Sequence, residues 1–209
     1  MGITLCIAAG QTTAPGFKLA AMNGMSEQKP MRVFFALWPG AAECARLAAW
    51  QAPLQRVCGG RAMRAETLHA TLVFLGNVAG HRFEALALAA QEAAGVRFVM
   101  RLDEARYWRH NHIVYAAPLQ EPEGLARLVR QLEQGLCRHH FHIEPRSYQP
   151  HVTLLRRARW DERPLPELPA VTWPVHDFAL VQSLSDEHGA RYRVLARFPL
   201  AAAARTGLP

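Results

Sequence analysis

A histidine and a threonine stand two residues apart in the apolar run TLHATLVFLG (67–76), and the same His-x-Thr-Leu kernel returns in QPHVTLLRRA (149–158). The residue types define what such a pair can do. An imidazole whose ordinary pKa lies near ~6.5 is neutral or charged according to its surroundings, so His69 and His151 facing each other can divide the work of one base and one acid. The hydroxyls of Thr71 and Thr153 can donate hydrogen bonds to the oxygens of a phosphate held between them, where negative charge builds during reaction. No nucleophile elbow and no phosphate-binding glycine loop competes with this chemistry. A lone His-x-Thr in a strand is most often packing. Two of them, each followed by leucine and half a domain apart, point to a site made of two halves.

The spacing dictates the element. On a strand, residues i and i+2 share a face, so each histidine stands beside its threonine while Ala70 and Leu72, or Val152 and Leu154, turn into apolar packing. On a helix the two would diverge by about 200° and the spacing would lose its meaning. Both kernels are therefore predicted to be strands. The same parity puts 151, 153 and 155 on one face, so Arg156 reaches the site only through a twist, a bulge or the strand end.

The flanking chain supplies elements to carry these strands. MRVFFALWP reads as a buried strand stopped by Pro39. GAAECARLAAWQAPL is helical in content and is broken by Gly59 and Gly60; HRFEALALAAQEAAG is an amphipathic helix with a glycine stop. VRFVMRLDEARYW and HIVYAAPL read as strands, and EPEGLARLVRQLEQGLCRH as a helix with Pro122 near its start. A proline-rich connection at 164–174 precedes two final strands, HDFALVQSLS and ARYRVLARFPL, joined by a turn at DEHG. This alternation with hairpins predicts an α+β fold, and the two kernels suggest an old duplication of a strand-bearing half. Residues 1–30, without sustained periodicity, are expected to be a flexible extension, 31–200 the folded domain, and 201–209 a frayed tail.

With 209 residues, half of them hydrophobic, the chain can bury a sizeable core. No apolar run approaches the ~18–20 residues that span a bilayer. The four cysteines show no paired C-x-x-C spacing, which suits reduced thiols and a cytoplasmic location. A formal charge of +7, carried almost wholly by arginine, favours anionic partners such as RNA or phosphorylated small molecules. His110 with His112, and His139, His140 and His142, could each present ligands on a strand face. No carboxylate or cysteine completes a set, and no metal is expected.

LHATLVFLG and PHVTLLR resemble the paired signatures of the 2H phosphoesterases, in particular the bacterial RNA 2′,3′-cyclic phosphodiesterases once called 2′-5′ RNA ligases. The likeness runs from MRVFFAL through both kernels to Ser183, Gly189 and Tyr192. It implies a bilobal α+β fold with two pseudo-symmetric lobes of mainly antiparallel sheets around a central groove. It also implies that His69 is the proton donor and His151 the proton acceptor in opening a 2′,3′-cyclic phosphate to a 2′-phosphate, with no cofactor. Arg156 matches the arginine ending the second motif, a substrate contact. Phe34 could stack on a base near the groove or pack in the core. The expected partners are RNA with cyclic-phosphate ends or small cyclic nucleotides, acted on by a monomer away from any membrane. The alternatives are the reverse reaction, 2′-5′ joining of RNA ends, a non-catalytic RNA-binding module, and a metal-dependent hydrolase using the histidine clusters.

Overall fold

From Val33 onward, strand β1 (Met31–Leu37) is buried on both faces, as its unbroken apolar run requires. The computed structural model describes residues 29–93, 95–144, 147–186 and 189–202; the expected extension at 1–28 and residues 203–209 lie outside them. After β1 come α1 (Ala41–Cys58), β2 (Arg61–Ala62), β3 (Ala70–Val78), α2 (Phe83–Glu92) and β4 (Phe98–Leu102). Then follow β5 (Glu104–Trp108), β6 (Ile113–Ala117), α3 (Glu123–Arg138), β7 (Val152–Arg156), β8 (Val171–Val175), β9 (Asp177–Asp186) and β10 (Gly189–Pro199).

The strands form two four-stranded antiparallel sheets, ordered β10-β9-β1-β3 and β2-β7-β6-β5, and a small β4-β8 pair. Each large sheet carries one kernel strand, β3 or β7. The fold is the α+β, two-lobed arrangement that the sequence implied. One face of each sheet enters a common core with the helices; α1 packs on β7 and β6, while α3 packs on α2 and β3. Leu125, Leu128, Leu132 and Leu136 recur along α3 at helical spacing and are fully buried. Gly135 lets α3 approach α2 closely, since a Cβ there would lie 2.8 Å from the Ala89 carbonyl oxygen.

Three expectations need correction. The run 96–108 is two strands in different sheets: Asp103 interrupts the apolar pattern, and its carboxylate accepts from the Leu119 amide at 2.7 Å as the chain crosses over. The proline-rich connection contains strand β8, where Pro174 is tolerated because β8 pairs only with β4. Ala201 is not frayed. Its amide donates to the Gly95 carbonyl (2.9 Å) and its carbonyl accepts from Arg97 (2.9 Å), pinning the chain beside Val96.

Candidate active site

The two kernel strands share one pattern of burial. Ala70–Phe74 and Val152–Arg156 both read buried, half-buried, buried, buried, exposed. The doubled buried position marks a bulge in each strand. In β3, Thr71 pairs with Ala36 and Val73 with Phe35, leaving Leu72 over; in β7, Thr153 pairs with Tyr115 and Leu155 with Val114, leaving Leu154 over. The extra residue is thus the leucine of each kernel. A bulge resets strand parity, so Arg156, opposite Ile113, lies on the same face as Thr153, opposite Tyr115. The bulge answers the parity objection to Arg156 and leaves that side chain exposed at the end of the strand.

Each histidine sits one residue before its strand, and Leu68, just ahead of His69, is already extended. The Nδ1–H of His69 donates to the Thr67 carbonyl at 2.7 Å, and that of His151 to the Gln149 carbonyl at 2.8 Å. A carbonyl only accepts, so Nδ1 carries the hydrogen in both rings and Nε2 is the nitrogen that can exchange a proton. The Thr67 carbonyl is held in place by a tight turn in which the Thr67 amide and hydroxyl donate to the Arg64 carbonyl at 2.9 and 2.7 Å.

Aromatic rings enclose His69. Trp38 lies parallel to the imidazole (centroids 5.3 Å apart, 5° between planes), Tyr192 meets it edge-on at 4.9 Å, and Phe34 is tilted against it at 5.0 Å. His151 is packed edge-on by Trp108 at 4.6 Å and Tyr115 at 5.7 Å. Burial in the aromatic box pulls the pKa of His69 down from 6.5 to about 4. The bond to Thr67 works against this, while the charges of His151 and Arg156 add to it. Those two charges act on His69 because β3 and β7 approach each other, bringing both halves of the site together.

Phe34, expected either to stack on a base or to pack, is only 3% exposed, with its ring against His69 and Tyr192. It offers no face to a base and serves instead as the floor under the imidazole. The outlying histidines have other partners: His139 meets Glu92 at 2.9 Å and His112 meets the Tyr107 hydroxyl at 3.0 Å. Among the described residues no cluster of histidine, cysteine, aspartate or glutamate is arranged to hold a metal.

The second bulge depends on two residues that the pattern of the kernels does not reveal. Gly60, at φ +84°, lies so close to the end of β7 that a Cβ would come within 2.8 Å of the Arg156 carbonyl oxygen. Buried Gln51 on α1 donates from Nε2 to the Met63 carbonyl (2.7 Å) and to that of the bulged Leu154 (3.2 Å). Gln51→Leu leaves the Met63 carbonyl without this donor, which should cost ~1–3 kcal/mol. The expected melting point falls by roughly 3–10 °C, read by calorimetry; an unchanged melting point would show that the bulge holds without Gln51.

A model of the 2′-5′ RNA ligase superfamily matches residues 39–187. This chain belongs to that superfamily. The RNA 2′,3′-cyclic phosphodiesterase of Escherichia coli (strain K12) is 33% identical over 178 residues, spanning 84% of this chain and 99% of its own. The enzyme of the same name from Thermus thermophilus is 32% identical over 188 residues, spanning 81% of this chain and 90% of its own. The crystal structure of E. coli LigT complexed with 3′-AMP superposes with a TM-score of 0.75 at 31% identity, covering 82% of this chain and 99% of that one. In this superfamily member, pattern reading missed Trp38 and Trp108, which pack on the histidines, and the contacts of Gln51 and Gly60 with β7. Trp38 had a signal: it continues the alternation of Phe34 and Ala36 on the face that meets His69.

Proposed function

We propose that this protein is an RNA 2′,3′-cyclic phosphodiesterase working by two-histidine acid–base catalysis. The observation that carries the reading is the twin arrangement: two imidazoles with Nδ1 tied to the backbone, each beside a threonine on a bulged strand. His151 Nε2 takes a proton from water, whose oxygen attacks phosphorus. The bond from phosphorus to the ribose 3′ oxygen breaks, His69 returns a proton to that oxygen, and the phosphate stays on the 2′ oxygen. Thr71 and Thr153 donate to the non-bridging oxygens as charge gathers there, and Arg156 adds a fixed positive charge. One chain supplies both halves of the site, so a monomer suffices. Free Cys44, Cys58 and Cys137 suit the cytoplasm. A 5′-hydroxyl in place of water would give the 2′-5′ joining for which the superfamily is described.

The depressed pKa of His69 has a kinetic consequence. With a pKa of about 4, His69 without substrate is neutral at neutral pH and is no acid. A cyclic phosphate places one negative charge beside it, which at ~4 Å and an effective dielectric near 20 is worth about 4 kcal/mol, or ~3 pKa units. Binding therefore charges the donor. The limb assigned to His69 should lie roughly two to three pH units higher in kcat than in kcat/KM, and coincident limbs would contradict the donor role. The direct test is a panel of 2′,3′-cyclic nucleotides and cyclic-phosphate-ended oligomers with product analysis. A 2′-phosphate formed equally well after exhaustive EDTA treatment supports the reading; loss of activity restored by zinc would favour a metal mechanism.

A further inference from the structure

The bulges make another pair of positions equivalent. Three residues beyond each threonine, after the same two buried residues, β7 presents Arg156 and β3 presents Phe74. Phe74 pairs with Phe34 across β1 while Thr71 pairs with Ala36, so Phe74 points from the same face as Thr71. It is 39% exposed, and the Arg32 guanidinium lies over its ring at 5.0 Å. Arg32 is exposed on that same face, opposite Asn77, which is exposed as well. One lobe thus extends the groove with a cation and the other with an aromatic ring capped by a cation. Two residues along β1 set Phe74 about 7 Å from Thr71, beyond reach of a phosphate held there but along the line on which a longer RNA would continue from it.

We infer that Phe74 and Arg32, flanked by Asn77, form a stacking platform for the nucleotide preceding the one that bears the cyclic phosphate. The inference rests on the proposed RNA substrate. Aromatic rings and guanidinium planes take bases of any sequence, and the arginine also offsets the charge of the backbone phosphate. The platform would therefore distinguish an RNA chain from a lone cyclic nucleotide without imposing a sequence.

The test compares a 2′,3′-cyclic mononucleotide with a trinucleotide ending in a 2′,3′-cyclic phosphate. Phe74→Ala should raise KM for the trinucleotide by about 5- to 100-fold with kcat little changed, and should leave the mononucleotide constants within about twofold. Phe74→Tyr, which keeps a π face, should restore trinucleotide binding, and Arg32→Gln should weaken the salt dependence of the trinucleotide KM. Equal effects on the two substrates, or an unaltered trinucleotide KM in Phe74→Ala of unchanged melting point, would overturn the platform. Should the wild-type protein hydrolyse neither substrate, the proposed activity falls. The platform is then judged by the Kd of a 2′-phosphate-ended trinucleotide: a Phe74→Ala value equal to wild type, or no binding by wild type, overturns it as well.

Discussion

His69→Ala and His151→Ala should each reduce turnover of a 2′,3′-cyclic phosphate by ~10²–10⁴-fold, the usual contribution of one positioned proton-transfer group. The two losses should not multiply in the double variant, because donor and acceptor serve one displacement. Steady-state kinetics on both single variants and the double variant check this; near-normal turnover in a folded single variant would end the two-histidine mechanism. His69→Ala also has a consequence for stability. His69 has a folded pKa near 4 against 6.5 when unfolded, so between those values the unfolded chain binds the extra proton. Stability is full above about pH 6.5 and drains away as pH falls toward 4. His69→Ala removes that proton sink and should flatten the acid side of the melting-point profile over this window. His69→Gln, which fills more of the space among Trp38, Phe34 and Tyr192, guards against reading a packing loss as an electrostatic one.

Thr71→Val and Thr153→Val should each lower kcat by ~10–10³-fold with little change in melting point. Valine keeps the branched shape and strand preference of threonine, so a purely structural role predicts near silence. A hydroxyl that meets charge developing on phosphate oxygens predicts the larger loss, worth roughly 2.7–4 kcal/mol where the site is dry and preorganised. Both threonines are only half-buried, which places the expectation toward the lower part of that range. Because the interaction strengthens in the transition state, kcat should fall more than KM rises. Two fully active valine variants would reduce the threonines to strand formers.

The paired kernels were legible because their signal is local. The spacing of histidine and threonine works only with the side-chain period of a strand, and two copies of an improbable pattern identify each other across the chain. The long strands and helices were legible for the same reason: the apolar run Phe178–Val181 in β9, alternation in β10, and leucines at helical spacing in α3 are properties of neighbouring residues. Short or interrupted elements were not. β2 is two residues long and exists only because β7 lies alongside, and β8 hides among prolines that an edge position tolerates. What only tertiary structure decided is how side chains beyond the kernels face. The bulge at Leu72 and its twin at Leu154 turn Phe74 and Arg156 toward the groove, against the parity that the sequence implies. A bulge is set by register against a partner strand, and no partner is visible in a single run of residues. Likewise Phe34 became a support for His69 through its burial beneath Tyr192, and the low pKa of His69 came from rings brought by β1 and β10. Desolvation is a sum over neighbours in space, so the proposed chemistry could be read from the chain while its tuning had to be read from the fold.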